Sequence, residues 1–71
     1  MENYSIKIWE SETESQQSGR PALTFNNIRA INAEMALQQV MRENNMFAVF
    51  LAEVSWNNGL ESKQFKKYAL E

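Results

Sequence analysis

The run Met46-Phe47-Ala48-Val49-Phe50-Leu51-Ala52-Glu53-Val54-Ser55-Trp56 constrains the fold more than any other segment of the chain. It is rich in Phe, Val and Ala, and asparagines bound it at both ends, which is the signature of a β-strand. Strict alternation gives it two unequal faces. One carries Met46, Ala48, Phe50, Ala52, Val54 and Trp56 without a polar interruption; the other carries Phe47, Val49 and Leu51 before turning polar at Glu53 and Ser55. A strand that is apolar on both sides for half its length belongs in the middle of a sheet. The first face is expected against a helix, and the second needs a cover that a short chain has little means to supply.

The elements on either side can be read in the same way. Tyr4-Ser5-Ile6-Lys7-Ile8-Trp9 alternates as a half-buried first strand, with Tyr4, Ile6 and Ile8 on one face. Residues 10–21 are polar and are expected to form a mobile loop. Ala22-Leu23-Thr24-Phe25 is read as a second strand paired with the first across that loop. Asn26 and Asn27 offer side-chain acceptors for a helix start, and a helix is expected from there to about Asn44, its stripe being Ala30, Ala33, Leu37, Val40 and Met41. Asn44-Asn45 tolerates the left-handed conformation that ends many helices.

Asn57-Asn58-Gly59 predicts a reversal, because Asn-Gly supplies positive φ angles. The last segment, from Ser62, is ambiguous: the turn calls for a returning strand, whereas Phe65, Tyr68 and Ala69 have helical spacing. The strand is preferred. The expectation is a single α+β domain over residues 1–71, a three- or four-stranded, mostly antiparallel sheet with one helix packed on one face.

At 71 residues there is room for one hydrophobic core. A core of that size rarely supplies more than about 3–5 kcal/mol unaided. With no Cys and no His, disulfides and the familiar zinc sites are excluded, leaving self-association as the remaining common support. The same two absences remove thiol nucleophiles and imidazole bases. No G-x-S-x-G elbow, P-loop or dinucleotide fingerprint occurs, and Gly19 and Gly59 are both read as turn residues, so neither an enzyme nor a cofactor is expected. Glu10, Glu12 and Glu14 are carboxylates of the type that holds calcium or magnesium, but their spacing matches no EF-hand loop, and a solvated loop tip accounts for them. Ser11 and Thr13 among these acids are unspecific phosphorylation candidates.

Two binding readings follow. The first is a protein-interaction or regulatory module that self-associates or takes another protein. Its candidate surfaces are Phe47, Val49 and Leu51 on the second strand face, Ile31 and Met35 one helical turn apart off the main stripe, and Trp56 beside the turn as an anchor. The second is single-stranded nucleic-acid binding by Lys63, Phe65, Lys66, Lys67 and Tyr68, where ammonium groups meet phosphates and rings stack on bases, with Lys7, Trp9 and Arg20 extending the patch. A formal charge of −2 and a pI near 5.1 favour the first. No stretch is long and apolar enough to cross a bilayer as a helix, and Met1-Glu2-Asn3-Tyr4 has no basic segment, so a cytoplasmic protein is the expectation.

Overall fold

A computed structural model describes residues 2–11 and 23–70. Most of the expected polar loop at 10–21, with Glu12, Glu14 and Arg20, lies outside the described residues. The elements run β1 (Glu2–Trp9), β2 (Leu23–Ala30), α1 (Ala33–Glu43), β3 (Ala48–Trp56) and β4 (Glu61–Ala69). The four strands form one sheet in the order β2-β1-β3-β4, and every pairing is antiparallel. α1 lies across one face. This is the expected α+β arrangement in its four-stranded form, and the last segment is a strand.

The core is the seam between α1 and that face. Ala33, Ala36, Leu37, Val40 and Met41 of the helix are buried against Tyr4, Ile6 and Ile8 of β1, Ala30 of β2, and Val49, Ala52 and Val54 of β3. The two central strands thus supply most of the sheet's share, as expected for elements flanked by strands on both sides.

The helix begins later than the sequence suggested. Asn32 is its N-cap: extended at φ −151° and ψ 174°, it accepts the Met35 N–H on its side-chain oxygen at 2.8 Å. Asn26 and Asn27 lie instead inside β2, which runs to Ala30. The pairing passes from Tyr4–Ile28 to Ile6–Phe25, so both asparagines stand opposite Ser5 as a β-bulge, and Asn27 takes φ 60°. The extra residue restores facing: Leu23, Phe25, Ile28 and Ala30 all reach the helix side, although Phe25 and Ile28 are three apart. At the other end α1 stops as expected, with Asn44 as C-cap and Asn45 at φ 55°.

A second irregularity corrects the reading of β3. Val49, expected on the open face, is only 4% exposed and lies in the core, while Ala48 is exposed and Phe50 is half-buried outside it. Val49 and Ala52 are both buried three residues apart, which strict alternation forbids. The ladder skips from Val49–Tyr68 to Leu51–Lys66, with Lys67 at φ 49°, so both strands change facing together and their register is kept. The same step puts Phe65 and Tyr68 on one side of β4, and their helical spacing is explained by it. At the far end, Asn57, Asn58 and Gly59 all have positive φ, and Gly59 N–H bonds to the Trp56 carbonyl at 3.1 Å.

The cap assignment is checked by two variants. Asn32→Ala should cost about 1 kcal/mol, a fall in Tm of about 4–8 °C. Asn26→Ala should stay within about 0.5 kcal/mol, as for an exposed position without a capping role. Thermal melts followed by circular dichroism measure both; the reverse order would return the helix start to Asn26.

Candidate interaction surfaces

α1 leaves a hollow on each flank, and Arg42 lines both. The first is a groove of about 510 Å³ formed by Arg29 and Ala30 at the end of β2, by Ile31, and by Met35, Gln39, Arg42 and Glu43 of α1. Its apolar side chains are unusually open to solvent: Ile31 is 74% exposed and Met35 44%. The capped turn at Asn32 holds Ile31 just outside the helix and starts α1 so that Met35 falls off the buried stripe. These two residues, singled out from their spacing, therefore do share a surface.

The second hollow, on the β4 flank, is polar and holds a hydrogen-bonded network. Gln38 Nε2 donates to the Tyr68 hydroxyl at 2.8 Å, and that hydroxyl donates to Glu34 Oε2 at 3.0 Å. Burial pushes the Tyr68 phenol above its ordinary value; the bond from Gln38 opposes this, and the bond to Glu34 adds to it. Tyr68 also meets Phe65 edge-on, with centroids 5.4 Å apart, and Lys63 Nζ stands 5.2 Å from the Phe65 centroid.

This geometry divides the proposed nucleic-acid set. Phe65 and Tyr68 are half-buried, packing against the core on the helix side and against each other. Lys63 lies on the same side, whereas Lys66 shares the opposite face with Leu51 and Trp9 through the cross-strand row Trp9–Leu51–Lys66. Lys7, paired with Thr24 and Glu53, is on that opposite face as well.

The strand set is divided too. Val49 is in the core, Leu51 is half-buried on the open face, and Phe47 precedes β3, 70% exposed, with its carbonyl accepting the Leu70 N–H at 2.8 Å. Trp56 packs edge-on against Tyr4 at 5.7 Å and lines a third hollow of about 310 Å³ with Asn3, Asn27 and Asn58. On the open face, the Trp9 indole N–H is buried without a hydrogen-bond partner. Among the described residues no cluster of acidic side chains is arranged to hold a metal ion, and no helix is long and apolar enough to cross a membrane.

Sequence reasoning missed Arg29, Gln39 and Arg42 as neighbours of Ile31 and Met35. The available signal was the pattern Leu23-Thr24-Phe25 followed by Ile28 and Ala30, which alternates once a single residue is skipped at Asn26-Asn27.

The Tyr68 network has a pH signature. A phenol whose folded value is raised binds its proton more tightly in the folded state, so its stabilisation is complete below the unfolded value near 10 and is lost as pH rises through the folded one. In urea titrations between roughly pH 9 and 11, Tyr68→Phe should lose less stability than the parent chain. An equal loss in both would show that Tyr68 does not carry the dependence.

Comparison with protein-family models, with curated proteins and with solved structures gives no match for this chain.

Proposed function

We propose that this chain is a small, non-enzymatic protein-interaction module whose contact surface is the groove between α1 and the end of β2. The observation that supports this most strongly is the pairing of Ile31 and Met35, both large, apolar and exposed, in one groove of about 510 Å³. Exposed apolar residues scattered singly are ordinary; two that line a common groove with a polar rim are the arrangement used for docking. The rim here is Arg29, Gln39, Arg42 and Glu43. Scattered placement of Phe47, Val49 and Leu51 moves the interaction reading from the strand to the helix flank.

A second copy of the chain and an unrelated polypeptide both fit this class, and one experiment separates them. A photo-crosslinking residue at position 31, with a control at the exposed Gln64, is activated in native extract and the products are identified by mass spectrometry. Adducts are expected from position 31, should fall at least about tenfold with Met35→Asp, and are either the chain itself or another protein. Equal yields from positions 31 and 64 would contradict the assignment.

A further inference from the structure

Resting on that reading of the groove, we propose that its partner is an extended acidic segment, which adds as a strand to the outer edge of β2 and seats an apolar side chain between Ile31 and Met35. Three observations converge on this occupant. Among the described residues β2 is an edge strand, with β1 on one side and no strand on the other, the kind of edge to which a further strand can add through backbone N–H and C=O groups. The bulge at Asn26-Asn27 divides that edge into two regular stretches, Leu23–Phe25 and Ile28–Ala30, and the second ends at the groove, which Arg29 and Ala30 line.

Facing supplies the second argument. Ala30 points to the helix side, so a residue opposite it on an added strand also points there. Ala30 is small, and Ile31 and Met35 stand beside it, giving an apolar side chain somewhere to bury.

The third argument is charge. Among the lining residues two are cationic, Arg29 and Arg42, against one carboxylate, Glu43, in a chain whose formal charge is −2. Neither arginine has an ion-pair partner among the described residues. Guanidinium groups match carboxylates in planar, bidentate geometry, so acidic residues flanking the apolar one would complete the contact. The opposite edge of the sheet, β4, carries Lys63, Lys66 and Lys67, but the hollow beside it is mostly polar, with Glu34, Gln38, Arg42 and Tyr68 joined by Ala69 and Leu70, and it has no pair of exposed large apolar side chains like Ile31 and Met35.

Selection from a random ten-residue peptide display library against the folded chain tests this. Enriched peptides should carry an aliphatic or aromatic residue flanked by Asp or Glu. In a nitrogen-15 spectrum they should shift Ile28–Ile31, Met35, Gln39 and Arg42 and leave Ser62–Lys66 unmoved. The double variant Arg29→Glu, Arg42→Glu, confirmed folded by the same spectrum, should weaken these peptides by about tenfold or more and select Lys- or Arg-bearing ones instead. Basic or uncharged enrichment, shifts confined to β4, or no enrichment would overturn the acidic-segment assignment. Peptide-free, concentration-dependent shifts at β2 would also overturn it, making a second copy the occupant. If crosslinking at position 31 captures a partner while the selection fails, the groove stands as an interaction surface and only the nature of its partner is refuted.

Discussion

Everything in this molecule depends on one helix sealing one face of the sheet. Ile6, Ile8, Leu37, Val40, Met41 and Val54 are the largest fully buried side chains, and all belong to that seam. Each such burial contributes about 1.5–3 kcal/mol, against an ordering cost of similar total size, so a 71-residue chain without disulfides has little margin for a misdirected side chain. The seam therefore explains more than stability. It dictates which residues of every strand must face the helix, and the backbone yields where the sequence would turn them away.

The backbone yields in two places. In β2 an extra asparagine at a left-handed φ resets facing against β1; in β3 and β4 a joint step at Phe50 and Lys67 resets both strands without shifting their register. A one-residue slip in a strand moves its whole apolar set to the opposite face, so these irregularities are what allow Ile28, Val49, Phe65 and Tyr68 to reach the helix. Their consequence for function is indirect. They commit the aromatic residues of β4 to the core margin, and they carry β2 on to Ala30, which forms one wall of the groove.

The parts of the fold legible in the sequence are those with uninterrupted periodicity. β1, the lower half of β3, the Asn-Gly reversal and the stripe of α1 follow from local patterns of two and 3.6 residues. The parts that were not legible are the parts where periodicity breaks. Asn26-Asn27 resembles a helix cap because the residue types that cap helices also tolerate the left-handed conformation a bulge requires. Phe65 and Tyr68 suggest a helix because the joint step resets facing between them and so mimics a three-residue spacing. The same ambiguity governed the candidate site: spacing pairs Ile31 and Met35 as one turn of a helix, whereas Ile31 precedes α1 and meets Met35 through the capped turn at Asn32, and Arg29 is their neighbour only through the full length of β2.

The joint step in β3 and β4 decides which side chains of those two strands join the seam with α1, and through-space contacts measured by nuclear magnetic resonance examine it directly. Val49 is predicted to show methyl contacts to the buried side chains of α1, and Phe65 and Tyr68 to show ring-to-ring contacts on that same side. Methyl contacts from Val49 to Leu51 and Trp9 instead would restore strict alternation, return Val49 to the open face and contradict the account.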